Sequence, residues 1–437
     1  MDRRVTIVGV GYVGLPLAVS FAEAGLAVCG VDAEPSRVAG LTAGQSHVED
    51  VSNARLRGAM RAGLRFQDTA APFPAADAVF VCVPTPVDAA KAPDLGPVRR
   101  AAQMVQAALQ PGQLIVLQST TFPGTTLGPF RAELEAGGLL AGQDFDLAFA
   151  PERVNPGDPG SAAHDIPRLV GGATRESAQR TADLLGLISD RVITMSSPDA
   201  AELAKLFENV FRNVNIALVN ELALLCERMG LDVWEVIDGA ATKPFGFMRF
   251  TPGPGVGGHC IPVDPYYLSW RAREYDFVDR FVELAGDINL AMPRHVVDLA
   301  AEALNDRGRS LRGSTVGVIG GAFKPNVADS RNSPSVAVSA LLAQRGAVVT
   351  YHDPHVPALT DSDGVTRQST RLRDVLDTAD LVVVMVRHDS IDWRAVLESA
   401  PLILDTVNVS KDFVPRARQV FRLGAGWLPT TSPDSKS

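Results

Sequence analysis

Cysteine is scarce in this chain, and the few cysteines stand far apart. Among 437 residues the four are Cys29, Cys82, Cys226 and Cys260, and no two of them have the C-x-x-C spacing. This arrangement argues against a disulfide framework and against a zinc site, so we predict no bound metal. Separated thiols are typical of a reducing compartment, and we expect a cytoplasmic protein.

The sequence also lacks long apolar runs and an excess of positive charge. No stretch of about 18 uncharged apolar residues predicts a membrane span. The N-terminus runs directly into a strand-like segment, without the apolar region and cleavage site that a signal peptide needs. The net charge is −9, which argues against nucleic acid and membrane surfaces as general partners.

What the chain does contain is enough apolar sequence for large cores, in a regular pattern. Apolar residues make up 46 % of it, and at roughly 150 residues per domain the length predicts two or three domains. Strand-like and helical stretches alternate at both ends, which is typical of parallel sheets covered on both faces. The first and last parts also match in pattern, at "ADAVFVCVPTP" and "ADLVVVMVRHD", which indicates a distant internal duplication.

The middle of the chain has a different pattern, dominated by one long helix. Apolar residues recur there at three- and four-residue spacing, with Ser197 or Asp199 as its cap and Gly230 as its end. We therefore predict an α/β fold: two Rossmann-like parallel-sheet domains joined by a helical middle domain with one long central helix. The predicted boundaries are 1–195, 196–308 and 309–427, followed by a disordered tail at 428–437.

A G-x-G-x-x-G turn near the N-terminus predicts a dinucleotide site. Gly9 allows the tight turn, Gly11 lets the backbone approach a pyrophosphate, and Gly14 lets the helix pack closely. Asp32 ends the next strand, where a carboxylate binds the ribose hydroxyls and repels a 2′-phosphate, so NAD is favoured over NADP. The other predicted cofactor contacts are Tyr12 and Val13 in the turn, Arg37 beyond Asp32, and Thr85 and Thr120, each after a later strand.

The segment "PGPGVGGHCIPVDPYYL" raises a separate question, because it places Cys260 among glycines and prolines. A metal ligand, a nucleophile and a buried thiol are the three alternatives. No further ligand has suitable spacing for a metal, and a glycine loop is not a core. A thiolate can attack an aldehyde, and oxidation of the adduct gives a thioester that water hydrolyses to an acid. Together with an NAD site, this predicts a four-electron oxidation of an alcohol to a carboxylate.

Such chemistry needs groups that move protons and stabilise an oxyanion. Lys205 and Asn209 lie four residues apart and share one face of the long helix. Glu152 and Thr120 each follow a strand-like run, at the sheet edge where substrates bind. Structural roles are equally open: the lysine could be an ordinary exposed side chain, and the other residues could be turn or cap residues. His259 lies beside the cysteine, but neighbouring side chains diverge and we do not expect it to take part.

These motifs together resemble the nucleotide-sugar 6-dehydrogenases of the UDP-glucose/GDP-mannose dehydrogenase family. The resemblance covers nearly the whole chain in the expected order, including "GVGYVGLPLA", "CVPTP", "STTFPGTT", "APER", "ELAKLFENVFRNVNIALVNELA", "GPGVGGHCIPVDPYYL" and "FKPNVADSRNSP". It implies an NAD domain, a helical middle whose long helix forms a homodimer or a higher homo-oligomer, and a C-terminal domain that holds a UDP-sugar.

The resemblance also implies roles for individual residues. It makes Cys260 the nucleophile, Lys324 a substrate contact and Arg331 a cofactor contact from the C-terminal domain. The remaining implied catalytic or substrate-binding residues are Thr120, Glu152, Arg153, Lys205, Asn209, Gly257 and Asp264.

One position separates the branches of that family. The UDP-glucose branch carries a second glutamate four residues after the first, where this chain has Pro156, so any role of that glutamate is in doubt here. The "PERVNPG" stretch resembles the UDP-N-acetylhexosamine branch, and within it the UDP-N-acetylglucosamine enzymes. The expected reaction is oxidation of UDP-N-acetylglucosamine at C6, for surface polysaccharide synthesis. The alternatives are UDP-glucose, UDP-N-acetylmannosamine, a two-electron β-hydroxyacid-type dehydrogenase, and a non-catalytic NAD-binding protein.

Overall fold

A computed structural model of the chain describes residues 4–88, 91–153 and 166–429. Contacts within it divide the chain into two compact units. The first comprises Met1–Asn209 and Tyr266–Val278, and the second comprises Val210–Pro265 and Asp279–Ser437. The three-domain boundaries taken from the sequence stay predictions, and the predicted tail lies, from residue 430 onward, outside the described residues.

An eight-stranded sheet forms the centre of the first unit. Its order is β3-β2-β1-β4-β5-β6-β7-β8, and all pairs are parallel except β6 with β7. The strands are β1 (Arg4–Val8), β2 (Ala27–Asp32), β3 (Arg65–Asp68), β4 (Ala78–Val81), β5 (Leu114–Leu117), β6 (Asp146–Phe149), β7 (Arg168–Gly172) and β8 (Val192–Met195).

Helices cover both faces of this sheet and bury its apolar side chains in two clusters, one on each face. Burial on both faces explains why these strands are continuous apolar runs rather than alternating ones. The helices are α1 (Gly14–Glu23), α2 (Pro35–Thr42), α3 (Asn53–Arg61), α4 (Gly96–Gln106), α5 (Arg131–Glu135) and α6 (Arg175–Leu185), with a π-helical turn at Thr126–Phe130.

The long helix α7 (Pro198–Met229) begins in the first unit and ends in the second. The Ser197 hydroxyl accepts from the Ala200 amide and caps its start. Gly230, with φ of +68°, ends it. Both helix ends agree with the sequence analysis.

The second unit contains the remaining helices and a six-stranded sheet of order β10-β9-β13-β14-β15-β16, parallel except for β15 with β16. Strands β11 and β12 form a separate antiparallel pair. The strands are β9 (Thr315–Ile319), β10 (Val348–His352), β11 (Ala358–Thr360), β12 (Thr366–Gln368), β13 (Leu381–Val384), β14 (Ile403–Asp405), β15 (Val420–Arg422) and β16 (Gly426–Trp427). The helices are α8 (Val233–Ala241), α9 (Asp264–Arg273), which continues into the first unit, α10 (Arg280–Asn305), α11 (Pro334–Gln344), α12 (Leu372–Thr378) and α13 (Trp393–Ser399).

The two sheets repeat one arrangement of strands. The order β2-β1-β4-β5 in the first corresponds to β10-β9-β13-β14 in the second. A glycine with positive φ follows each first strand, Gly9 at +88° and Gly320 at +96°. The amide of each donates to the strand alongside, at Val31 and His352. The predicted fold class is confirmed, and the two stretches matched in the sequence form the equivalent strands β4 and β13.

Candidate active site

The glycine turn between β1 and α1 is shaped by close backbone contacts. A Cβ on Gly9 would lie 2.6 Å from the Cys82 carbonyl oxygen, and one on Gly14 would lie 1.9 Å from the Gly9 carbonyl oxygen. A Cβ on Gly11 would meet open space. Two of the glycines are therefore required by packing, while Gly11 leaves the approach to the turn clear. The turn and the start of α1 fit a pyrophosphate.

The acid at the end of β2 is buried and faces the same turn. The Asp32 carboxylate accepts from the Val10 amide at 3.0 Å and from the Glu34 amide at 2.9 Å. Arg37 Nη1 donates to both of its oxygens, at 2.9 and 3.0 Å. The acid and Arg37 thus form one ion pair beside the turn, and these residues fit an NAD site. Tyr12 in the turn is exposed, whereas Val13 packs against the core.

Two predicted cofactor contacts, Thr85 and Thr120, follow the adjacent strands β4 and β5. Both therefore lie at the carboxyl edge of the sheet, where ligands bind in parallel folds. Thr85 is buried, and its carbonyl accepts from the phenolic hydroxyl of Tyr267. Thr120 is half-buried.

Glu152 lies just after β6 and is held by residues from other strands. Its Oε2 accepts from Gln118 Nε2 at 3.3 Å and from Arg168 Nη1 at 3.2 Å. Gln118 in turn accepts from the Cys82 thiol. Burial, with the nearby Glu152 charge, raises the pKa of Cys82, so this cysteine stays a thiol. Neither Gln118 nor Arg168 was predicted from the sequence, although Gln118 directly precedes the quoted "STTFPGTT" stretch.

Arg153 links the same region to the long helix. Its guanidinium donates to the Pro167 carbonyl at 2.7 Å and pairs with Glu208 of α7 at 2.5 Å. Pro156, on which the choice between branches depends, lies outside the described residues.

Lys205 and Asn209 occupy consecutive turns of α7 in the first unit, the lysine half-buried and the asparagine buried. One turn earlier, the fully buried Glu202 accepts from the Gly124 amide at 2.7 Å and from Thr126 at its amide and hydroxyl, at 2.9 and 2.6 Å. Burial raises the pKa of Glu202 to about 7, against the opposing effect of these donors. Glu202, another residue that the sequence analysis missed, joins α7 to the loop that follows Thr120.

The cysteine loop lies in the second unit and packs on the loop that carries Lys324 and Arg331. The Gly258 amide donates to the Arg331 carbonyl at 2.9 Å. A Cβ on Gly258 would lie 2.9 Å from the Phe323 ring, and one on Gly257 would lie 2.8 Å from Phe323 Cβ. Two motifs that are far apart in the sequence therefore meet through backbone contacts.

The thiol itself stands at the end of this loop, before α9. Cys260 is exposed, whereas Cys82 and Cys226 are buried. The buried Asp264 begins α9, and its amide donates to the Cys260 carbonyl at 2.8 Å. Burial, with the Arg331 charge, lowers the pKa of the neighbouring His259.

The two basic residues of the supporting loop have different surroundings. Lys324 Nζ lies 5.8 Å from the centre of the Phe323 ring. Arg331 forms a two-point ion pair with Asp329, at 3.0 Å for Nε and 2.6 Å for Nη2. The structure therefore gathers Gly257, Cys260, Asp264, Lys324 and Arg331 in the second unit. The first unit contains the glycine turn, Thr120, Glu152, Lys205 and Asn209.

The chain matches three sequence profiles of one family, domain by domain. They are the NAD binding, central and UDP binding domains of the UDP-glucose/GDP-mannose dehydrogenase family, over residues 3–186, 199–291 and 317–412. The chain belongs to this family. It is thus an NAD-dependent nucleotide-sugar 6-dehydrogenase, and the predicted family, enzyme class and cofactor are confirmed.

Individual relatives within this family differ in the sugar that their names specify. The chain is 37 % identical to a UDP-N-acetyl-D-glucosamine 6-dehydrogenase of Pseudomonas aeruginosa, over 82 % of this chain and 84 % of that one. It is 34 % identical to an NDP-N-acetyl-D-galactosaminuronic acid dehydrogenase of Ralstonia solanacearum, over 88 % and 91 %. The solved UDP-D-ManNAc dehydrogenase of Pyrococcus horikoshii superposes with a TM-score of 0.88 at 32 % identity, covering 97 % and 99 %.

In this nucleotide-sugar dehydrogenase, the helices within the described ranges include none that is long and apolar enough to cross a membrane.

Proposed function

We propose that the enzyme oxidises the C6 hydroxyl of UDP-N-acetylglucosamine to the carboxylate, in two steps that use two NAD. The observation that carries this proposal is the exposed Cys260 on a glycine loop beside the loop of the UDP binding domain that carries Lys324. A two-electron oxidation of an alcohol by NAD forms no covalent bond to a thiol, whereas the four-electron route needs one. The product would be an acidic sugar nucleotide for surface polysaccharide synthesis.

Cys260 retains the intermediate in this scheme. NAD, when bound, accepts the hydride at each oxidation. After the alcohol has become an aldehyde, the Cys260 thiolate adds to its carbon and forms a thiohemiacetal. Oxidation of that adduct leaves a thioester on Cys260. Water adds to the thioester, the C–S bond breaks, and the uronate and the free thiol are released.

The other residues are proposed to bind the substrate and to manage charge. Lys205 stabilises the alkoxide, and Asn209 donates into the oxyanion hole. Asp264 and Glu152 handle protons, and Thr120 orients the reacting groups. Glu152 is suited to this role because Gln118 and Arg168 fix its carboxylate. Further proposed contacts are Arg153, Gly257 and Lys324 with the substrate, and Arg331 with the cofactor.

The choice of UDP-N-acetylglucosamine over other sugars rests on the sequence around Pro156 and on the relative with this substrate in its name. UDP-N-acetylmannosamine and UDP-glucose are the alternatives. The relatives named for N-acetylhexosamines support the acetamido class as a whole.

A panel of UDP-sugars, read by NADH absorbance, tests both parts of the proposal. We expect reduction of NAD with UDP-N-acetylglucosamine and two NADH for each sugar consumed. A preference for UDP-glucose would overturn the substrate assignment. One NADH for each sugar would overturn the four-electron scheme.

We also propose that the enzyme is a homodimer formed through α7. Six large apolar side chains lie along one face of this helix at spacings of four and seven residues and are 39–61 % exposed. These residues are Leu203, Phe207, Phe211, Leu218, Leu225 and Met229. A contiguous apolar stripe of this kind is typical of a protein interface, and the same stripe on a second copy is its natural complement.

A further inference from the structure

A buried acid–histidine pair in the second unit has no place in the scheme above. Asp353 follows β10 and His388 follows β13, and both side chains are fully buried. His388 Nε2 lies 3.0 Å from Asp353 Oδ2. Buried ionisable pairs are costly unless every polar atom has a partner, so the partners of this pair indicate its role.

The hydrogen bonds of the pair define the protonation of the imidazole. The backbone amide of Asn326 donates to His388 Nδ1 at 3.0 Å, which makes Nδ1 an acceptor. Nε2 then carries the proton and donates to Asp353. The histidine is therefore a neutral bridge from a backbone amide to a carboxylate.

The carboxylate is saturated by internal donors. Oδ2 also accepts from the amides of Gly321 and Ala322, at 2.6 and 3.0 Å. Oδ1 accepts from the amides of His355 and Val356, at 2.7 and 2.8 Å. These bonds hold the pKa of Asp353 below its usual range, against the effect of burial.

A comparison of the two duplicated folds shows how Asp353 differs from Asp32. Asp353 follows the second strand of its fold, as Asp32 ends the second strand of the first fold, and each accepts from the amide after the glycine turn. Besides the Glu34 amide, the place of the remaining donor in the first unit is taken by the side chain of Arg37. In the second unit His388, fully enclosed, takes that place, so Asp353 has no capacity left for a ribose.

Between them, the two residues hold the first part of a loop, from Gly321 to Asn326. Asp353 binds its start at Gly321 and Ala322, and His388 binds Asn326, five residues along. Lys324 lies between these points. The amide of Asp389, next to His388, donates to the Asn326 side chain, which donates back to the Asp389 carboxylate. The same loop continues to Arg331, whose carbonyl holds the cysteine loop.

We propose that Asp353 and His388 are a positioning pair, which fixes the 321–332 loop so that Lys324 meets the nucleotide sugar and the cysteine loop keeps its reactive shape. The proposal rests on the proposed function in so far as it takes Lys324 as a substrate contact. Both side chains are fully buried, so we assign the pair to positioning rather than to catalysis.

Two substitutions each remove one of the two hydrogen bonds that the His388 ring makes. His388→Gln retains a donor toward Asp353 but removes the acceptor for the Asn326 amide. His388→Asn retains an acceptor near Asn326 but removes the donor. The matched control is His352→Gln, at a partly exposed histidine that ends β10 and contacts the Thr370 carbonyl.

The readouts are the Kd for UDP by calorimetry, the Kd for NAD, and the rate at which iodoacetamide alkylates Cys260, followed by mass spectrometry. Each His388 variant leaves a buried polar group unpaired, so we expect about tenfold weaker UDP binding. We also expect an altered alkylation rate, with NAD binding and the His352→Gln control unchanged.

Variants that melt at lower temperature but bind UDP and react with iodoacetamide as the wild type does would overturn the proposal, because the pair would then serve stability alone. None of the three readouts requires turnover. If the wild type bound UDP but oxidised no UDP-sugar, the proposed function would fail while these measurements still decided the role of the pair.

Discussion

At the scale of the single residue, the same side chain has different chemistry in different surroundings. Cys82 is buried beside Glu152, and burial raises its pKa, whereas Cys260 is exposed on a glycine loop. Exposure on such a loop, rather than the thiol alone, distinguishes a candidate nucleophile from a core cysteine.

Cys260→Ser tests the nucleophile. A serine hydroxyl at this site has no thiolate to add to the aldehyde, so we expect loss of NADH production with UDP-N-acetylglucosamine. Binding of UDP, measured by calorimetry, should stay within about twofold because the loop backbone is unchanged. Cys29→Ser, at a half-buried cysteine in β2, is the control. Full turnover by Cys260→Ser would exclude the thioester route.

Glu202→Gln tests the buried acid of α7. Since burial raises its pKa from 4.5 to about 7, the folded state holds this proton more tightly than the unfolded chain does. The resulting stability is fully present below about pH 4.5 and is lost as the pH rises to 7, a change of about 3 kcal/mol at most.

We therefore expect that, as the pH rises from 4.5 to 7, the melting temperature of the wild type falls relative to that of Glu202→Gln. Scanning fluorimetry measures both. Glu221→Gln, at an exposed acid on the same helix, should show no such trend. A constant difference across this range would mean that Glu202 does not titrate there.

At the scale of the element, the glycine loop before α9 works through close contacts more than through flexibility. Gly257 and Gly258 pack on Phe323, and Gly258 adopts a φ of +89° that L-residues disfavour. The loop is thus held in one conformation by a second loop. The α7–loop contact at Glu202 acts similarly in the first unit, where it anchors the segment after Thr120.

Gly258→Ala tests this support. The added Cβ would meet the Phe323 ring and would strain the backbone by about 1–2 kcal/mol. We expect kcat/KM for the UDP-sugar to fall by about tenfold or more, because the loop must shift to accommodate the methyl group. Gly253→Ala in the same loop is the control, since its Cβ would meet nothing within 4 Å. Equal activity of the two variants would contradict the predicted role of the close contact.

At the scale of the whole molecule, the proposed catalytic set is divided between two compact units. Lys205 and Asn209 belong to one and Cys260 to the other, while α7 and α9 run through both. The helix that carries the lysine and asparagine also presents the apolar stripe, so the proposed interface and part of the proposed site share one element.

Leu218→Glu with Leu225→Glu tests the proposed dimer. Two charges in the centre of the stripe would be desolvated without partners, so we expect the doubly substituted protein to be monomeric. Light scattering should give the wild type twice the 46.4 kDa mass of the chain. Arg212→Glu, at an exposed polar position on another face of α7, should leave the mass unchanged. A monomeric wild type would contradict the proposal.

The local pattern of the chain predicted much of this architecture. Continuous apolar runs indicated the buried strands β1, β4, β5 and β13, and Ser197 and Gly230 marked the ends of α7. No strand was predicted from the sequence at β3, β7, β8, β11, β12, β14, β15 or β16. The last two are only three and two residues long and lack a periodic pattern.

By itself, the sequence determined the two Rossmann-like folds, the NAD turn and the cysteine loop. Glycine spacing and apolar periodicity act over short stretches of chain and can therefore be recognised in the sequence. Only the tertiary structure decided what holds the proposed site residues. Glu152 depends on Gln118 and Arg168, the Lys324 loop depends on Asp353 and His388, and Gly258 depends on Phe323. The partners in each case are 16 or more residues apart in the chain. What pairs them is the distance and direction of a hydrogen bond or a contact, and residue spacing in a single sequence does not contain that information.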